Sequence, residues 1–265
     1  MKYVVVTITL FAGGCALTTP APGGPLQAGT YTQFQPSWAA AYGRATVTVD
    51  GARLSGNGQT QIVGRGVIDP FPNPVPLTIG VRQALGPHLE ASADVGWVDS
   101  GVGLRVAGPN VGEAMPIVFS AGARTGKVVS FFGNDTYNSR LAVELYPTIH
   151  RTLRLLFSVG VEAGAYAHQL LLPEAYRSLS DAPTGPPHVD VVRGEVRLQT
   201  SVGLYWPSRR GSFSVALSPW ILLDAAKPKS LVCTDCAATP TLADFTQTWG
   251  ISLIVAPALG WAHVL

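Results

Sequence analysis

The chain of 265 residues carries a net charge of +2, is 47% hydrophobic and only 13% charged, and its basic residues are fourteen arginines against four lysines (Lys2, Lys127, Lys227 and Lys229). A fully solvated surface needs about 25–35% charged residues, with lysine prominent on strand edges, so a large water-facing surface is excluded. The charge balance and the lack of a basic stripe interleaved with aromatics exclude a nucleic-acid partner.

Residues 1–14 read MKYVVVTITLFAGG: one lysine, an apolar run, then small residues. That order is a secretory signal, too short to cross a bilayer as a helix. The junction Phe11-Ala12-Gly13-Gly14-Cys15 resembles a bacterial lipoprotein signal, and the resemblance implies a lipid on Cys15 as the mature N-terminus. Residues 15–37 follow as a tether whose Pro/Gly/Thr-rich stretch, TTPAPGGPLQAGT, cannot pack a core. Residues 38–265 form a single folded domain.

From about Tyr42 onward the sequence alternates with a period of two, the mark of a strand whose faces meet different surroundings. In chain order the runs are TVTV (46–49), LTIGVR (77–82), LEASADVGW (89–97), VGLRV (102–106), IVFSAGAR (117–124), RLAVEL (140–145), TLRLLFSVGVEAGAY (152–166), VRGEVRLQTSVGLYW (192–206), FSVALSPWIL (213–222) and FTQTWGISLIVAPALGW (245–261). They predict about ten strands within a range of eight to twelve, because GQTQIVGRG (58–66) offers a further short candidate. No long segment has the 3.6-residue period of a helix.

The two faces differ in kind. One parity holds Leu, Val, Ile and Phe. The other holds Gly, Ser, Thr and Ala, punctuated by Arg44, Arg82, Glu90, Asp94, Arg105, Arg124, Arg140, Glu144, Arg154, Glu162, Arg193, Glu195 and Arg197. In the long run at 152–166 only Leu156 sits on the wrong parity. A soluble sandwich would place the polar parity in water and fill it with Lys, Glu and Asp. Small residues with scattered opposite charges suit instead the inside of a barrel whose apolar parity meets lipid. Spans of about 9–11 tilted residues cross a bilayer, and a sheet in hydrocarbon has to close to satisfy its backbone.

The connections agree: those at 85–88, 146–151 and 207–211 are short, whereas 51–75, 125–139, 167–189 and 224–244 are long. Counted from one end, short and long fall on opposite sides, the pattern of outer-membrane barrels. Trp97, Tyr146, Tyr205, Trp206, Trp249 and Trp261 near strand ends are candidate interfacial girdles. Pro219 and Pro257 fall inside strand runs, where a missing N–H predicts a bulge or a strand end. The pattern resembles bacterial outer-membrane β-barrel proteins in general, and lipoprotein-anchored barrels in particular. It implies an all-β antiparallel transmembrane barrel in a bacterial outer membrane, with no functional residue carried over.

Cys233 and Cys236 stand two residues apart with no further metal ligands nearby; in an oxidising compartment they predict a local disulfide bracing a loop. The thirteen charges line the predicted lumen, either as a selectivity lining for a small anionic solute or as ion pairs filling a barrel too narrow to conduct. Eight strands leave an interior filled by side chains, and aqueous channels appear at about sixteen, so the filled reading is preferred. His168, His188 and Asp190 border one long connection near Asp94 and Asp99; a His beside a carboxylate can act as a general base, but no nucleophile motif accompanies them. The sequence therefore predicts a non-enzymatic envelope component, with outer-membrane lipid around it, its outer loops touching a surface or envelope protein partner, and neither cofactor nor metal. A narrow solute pore and an outer-rim hydrolase are the alternatives.

Overall fold

In a computed structural model of the chain the described residues are 23–26, 31–50, 62–64, 67–68, 77–96, 99–108, 114–126, 136–171, 188–227, 230–234 and 241–262, with side chains described for 23–26, 31–38, 78–96, 99–108, 114–126, 136–166, 192–227 and 249–260. Among them there is no helix. Fourteen strands form one sheet: β1 (Tyr31–Asp50), β2 (Ile62–Gly64), β3 (Val67–Ile68), β4 (Leu77–Gly86), β5 (Leu89–Gly96), β6 (Ser100–Ala107), β7 (Ile117–Thr125), β8 (Tyr137–Leu145), β9 (Thr148–His150), β10 (Leu153–Leu171), β11 (His188–Ser208), β12 (Gly211–Ala225), β13 (Ser230–Thr234) and β14 (Thr241–Ala262).

Ten of these strands make a closed antiparallel circuit, β1-β4-β5-β6-β7-β8-β10-β11-β12-β14 and back to β1. The seam is made by β1, which pairs with β14 from Tyr31↔Ala262 to Asp50↔Thr241, with an interruption at residues 35–37 and register shifts after Arg44 and Thr48, and with β4 near its start (Phe34↔Val81). The remaining strands are accessories: β2 and β3 flank β1, β9 sits at a turn, and β13 extends β11. The segment 58–66 thus yields β2, a short flap that leaves the even count of the wall intact.

Closure turns the period of two into an inside and an outside. Leu141 (68% exposed), Val159 (55%), Val102, Leu104, Val202 and Leu217 face out, while Ser158, Glu162, Arg105, Glu144 and Arg197 are buried. An apolar outer wall around a polar interior is the surface a barrel presents to hydrocarbon, and the molecule is an antiparallel transmembrane β-barrel. Leu156, the residue on the wrong parity, is fully buried with Val118, Tyr146, Tyr205 and Ala216 in a small apolar cluster inside one end of the barrel.

We call the end bearing Tyr31 and Ala262 the lower end. The connections 87–88 and 209–210 are tight turns there, and the strand ends joined by the long connections 51–76, 126–136, 172–187 and 226–240 are at the upper end. Two connections run against this trend: the upper ends of β5 and β6 are joined over only three residues, with Gly96 N donating to Asp99 O at 2.6 Å, and the lower ends of β6 and β7 over nine. The wall is uneven in height. Strands β4 to β8 have 8 to 10 residues, whereas β1, β10, β11, β12 and β14 have 15 to 22. Above the short side, β3 pairs with both β1 (Gly43↔Ile68) and β10 (Leu170↔Ile68), so a single strand bridges the gap that five strands fill below.

Three details differ from the sequence reading. β1 starts at Tyr31, inside the segment assigned to the tether; its inward parity Tyr31, Gln33, Gln35 is polar and too short to stand out before Pro36. Pro219 and Pro257 cause neither bulge nor strand end. They sit opposite Ile251 and Phe213 in the unshifted β12–β14 register, whereas the flanking ladders are interrupted beside them: β11–β12 between Gln199↔Trp220 and Val202↔Leu217, where Thr200 Oγ1 donates to the Pro219 carbonyl at 3.3 Å, and β1–β14 between Phe34↔Leu259 and Trp38↔Val255. The signal peptide, Cys15 and Cys236 lie outside the described residues; Cys233 lies on β13 opposite Val189, with its side chain outside them.

Leu141→Arg, at the middle of β8 on the outer face, is expected to destabilise the folded barrel by about 2–4 kcal/mol. Urea unfolding of chain folded into lipid vesicles measures this; an unchanged midpoint would contradict a lipid-facing position.

Candidate functional site

The inward parity brings the sequence-singled charges together in separate groups stacked along the lumen. The lowest is built on Arg105 of β6, whose neighbours on β5 and β8 each carry a glutamate. Arg105 Nη1 holds Glu90 Oε1 at 2.8 Å and Nη2 holds Glu144 Oε2 at 2.8 Å. Two tyrosines complete it: Tyr31 donates to Glu90, and Tyr146 Oη donates to Glu144 Oε2 at 2.6 Å while accepting from Arg105 Nη2 at 3.2 Å. Tyr146 also meets Tyr205 edge-on, with ring centroids 5.8 Å apart. Arg82 is buried at the same level.

Near the short upper turn, Arg124 of β7 is shared by two aspartates, Asp94 Oδ1 at 2.5 Å and Asp99 Oδ1 at 2.9 Å, each reinforced by a second N–H. On the tall side Glu195 is shared by two arginines, with Arg193 Nε at 2.7 Å from one oxygen and Arg197 Nε at 2.7 Å from the other. The Arg197 guanidinium is sandwiched between aromatic rings, 3.5 Å from the Tyr166 centroid and 4.0 Å from that of Trp220, a geometry that adds cation–π attraction to the ion pair. Arg140 donates to Ser158 Oγ at 3.0 Å and stands 3.9 Å from Glu162, whose other oxygen accepts from Tyr166 Oη at 3.3 Å.

Between these groups lies a cavity of ≈ 80 Å³, lined by residues that include Gln35, Arg82, Ser92, Asn138, Arg140 and Glu144. A water needs roughly 10–15 Å³ of such space, so the cavity accommodates a handful of waters.

Not every charge singled out in the sequence joins a pair. Arg154 stands at the lower rim and donates to the Tyr146 carbonyl at 3.2 Å, tying down a turn. Arg44 lies on β1 opposite Val67 and Trp249, with its side chain outside the described residues. The expected girdle divides: Trp249 is exposed and Trp206 packs on Phe213 of the neighbouring strand, but Tyr146 and Tyr205 point inward and are buried. The side chains of Trp97 and Trp261 lie outside the described residues. Tyr31, Tyr166 and Trp220 were missed as lumen residues, yet parity contains the signal, since Glu144 and Tyr146, Glu162 and Tyr166, and Ser218 and Trp220 share one face of their strands.

The proposed rim base is not assembled by what is described. His168 is opposite Val191, and Asp190 is opposite Gln169, so the two stand on consecutive rungs of the β10–β11 ladder; His188 is opposite Leu171. The side chains of all three lie outside the described residues. Asp94 and Asp99 are both engaged by Arg124. Among the described residues no group of three or more His, Cys, Asp or Glu is placed to hold a metal.

No protein-family model and no curated protein matches the chain. Among solved structures it is similar to the outer membrane protease OmpT of Escherichia coli (10% identity, 88% of this chain and 97% of that one, TM-score 0.41). It is also similar to the attachment invasion locus protein Ail of Yersinia pestis (12%, 88% and 99%, TM-score 0.24) and to the outer membrane channel DcaP of Acinetobacter baumannii (6%, 90% and 100%, TM-score 0.23). At these scores neither a protease, an attachment nor a channel role transfers, and no residue of this chain takes a function from them.

Removing one partner of a buried ion pair costs about 3–5 kcal/mol, because the other charge stays buried and unpaired. Arg105→Leu is expected to fall in that range in urea unfolding from vesicles. Arg154→Leu, which loses a single carbonyl contact at the rim, is expected to cost about 1 kcal/mol. Equal effects would contradict the pairing described for Arg105.

Proposed function

We propose that this protein is a non-enzymatic component of a bacterial outer membrane, with its lumen filled by side chains and its tall upper rim offered to a surface or envelope partner. The observation that carries the reading is the mutual use of the lumen charges. Arg105 binds Glu90 and Glu144, Arg124 binds Asp94 and Asp99, and Glu195 binds Arg193 and Arg197. A selectivity lining needs cations left available to a passing anion; here the guanidinium groups are turned on carboxylates of the same wall. Ten strands also lie near the narrow end of the barrel series.

Orientation follows from export. β1 starts at the lower end, next to the segment that leads back to the signal, which favours a periplasmic lower end and an exterior upper end. The lipoprotein-type junction at Cys15 adds an anchor on the periplasmic side to the proposal. The strands β10, β11, β12, β14 and β1 then carry the fold outward beyond the short wall of β4 to β8, raising backbone and loops where a partner on another cell or in the envelope would meet them. Outer-membrane lipid is the other partner, against the exposed apolar parity.

The narrow pore remains the second reading because the arginines of β4, β6, β7 and β8 border one cavity. Planar-bilayer recording decides. The full chain is expected to give no stepwise current; steps with an anion preference that Arg124→Ala or Arg140→Ala weakens would establish the pore instead. Turnover of a lipid or peptide substrate that is lost in His168→Ala or His188→Ala would establish a rim hydrolase.

A further inference from the structure

Residues 23–26, Gly-Gly-Pro-Leu, belong to the stretch that composition reads as a tether, yet they lie inside the lower mouth of the barrel. Gly24 is held at both of its backbone groups by buried wall side chains: its N–H donates to Tyr146 Oη at 3.0 Å, and its carbonyl accepts from Arg105 Nη2. Leu26 packs on the apolar cluster of Val118, Tyr146, Leu156, Tyr205 and Ala216. The fit demands glycine at position 24. Gly24 has φ +76°, a left-handed conformation open to glycine, and a Cβ there would run into the Tyr205 ring. A Cβ on Gly23 would run into the guanidinium groups of Arg82 and Arg105. Pro25 then fixes the backbone that leads Leu26 onto the cluster.

We propose that the lower mouth is a binding site for the chain's own Gly-Gly-Pro-Leu segment, which plugs the lumen from the side of the N-terminus. The wall has an odd feature that this explains. An apolar residue, Leu156, interrupts the polar parity of β10 where Leu26 needs a surface, and Tyr205, Val118 and Ala216 gather around it. Eight residues, nine chain steps, separate Cys15 from Gly24, a reach of roughly 30 Å when extended, so a lipid on Cys15 is compatible with the plug. The plug rests on Tyr146, Arg105 and Tyr205 and is independent of whether the lumen conducts.

Thermolysin, which cuts before leucine, reads the docking directly on the mature chain folded in detergent, with mass spectrometry locating the new N-terminus. Cleavage before Leu26 is expected to be about tenfold or more slower in the parent than in Gly24→Val, which cannot adopt the docked backbone; tenfold corresponds to the loss of one modest contact set. Heat-modifiability on gels confirms that both chains are folded. Equal cleavage rates in two folded chains would overturn the plug. As a second readout, Leu26→Cys in a chain with Cys15→Ser, Cys233→Ser and Cys236→Ser is expected to react with a maleimide about tenfold or more slower than Ser208→Cys at the exposed lower turn. Equal reactivity, or protection that survives Gly24→Val, would equally overturn it.

Discussion

A backbone N–H or C=O left unpaired in hydrocarbon costs several kcal/mol, and a sheet has such groups along both edges. Closure is the constraint from which the rest of this molecule follows. β1 provides it by pairing with β14 on one side and β4 on the other. Once the circuit is shut, each strand has one face to lipid and one to the interior, and every residue's parity becomes a choice of solvent. That is why Leu141 and Val159 stand exposed while Glu144 and Ser158, on the same strands, are buried.

Closure also creates the problem that the charges solve. A narrow barrel encloses space that carries the polar faces of ten strands, and isolated charges there would be poorly solvated. The fold answers with arginine. Its planar guanidinium presents several donors at fixed angles and can grip two carboxylates at once, as Arg105 and Arg124 do, where a lysine would supply a point charge on a flexible stem. The excess of arginine over lysine in the composition is thus a property of the interior as well as a sign of scarce water-facing surface. Tyrosines extend the same logic, since Tyr31, Tyr146 and Tyr166 fill volume with a ring and give a hydroxyl to a glutamate.

The alternation in the sequence carried the architecture because the period of two survives closure unchanged. The ten runs coincide with the ten wall strands, from TVTV in β1 to the long run in β14. What alternation does not carry is which strand ends turn inward. Tyr146 and Tyr205 look like girdle residues by their position at strand ends, but they share the parity of Glu144 and Ser201 and point into the lumen. Leu156 reads as a defect of pattern until Val118, Tyr205 and Leu26 are seen around it. Partner choice among the charges was likewise hidden, because pairing across strands depends on register. Glu90 and Arg105 face each other on adjacent strands, whereas Glu144 reaches Arg105 across β7. The residues 23–26 were the hardest to foresee, since Gly and Pro mark a flexible linker as readily as a backbone shaped to fit a tight cleft.

The central claim is that acyl chains cover the exposed apolar parity. Tryptophan placed singly at Leu141, Val159, Val202 or Leu217, in chain folded into vesicles containing lipids brominated along their tails, tests it most directly. Strong quenching is expected at all four positions and little at Ser158 or Ser201 on the opposite parity. Quenching by an aqueous quencher at the four apolar positions, with none from the brominated tails, would contradict it.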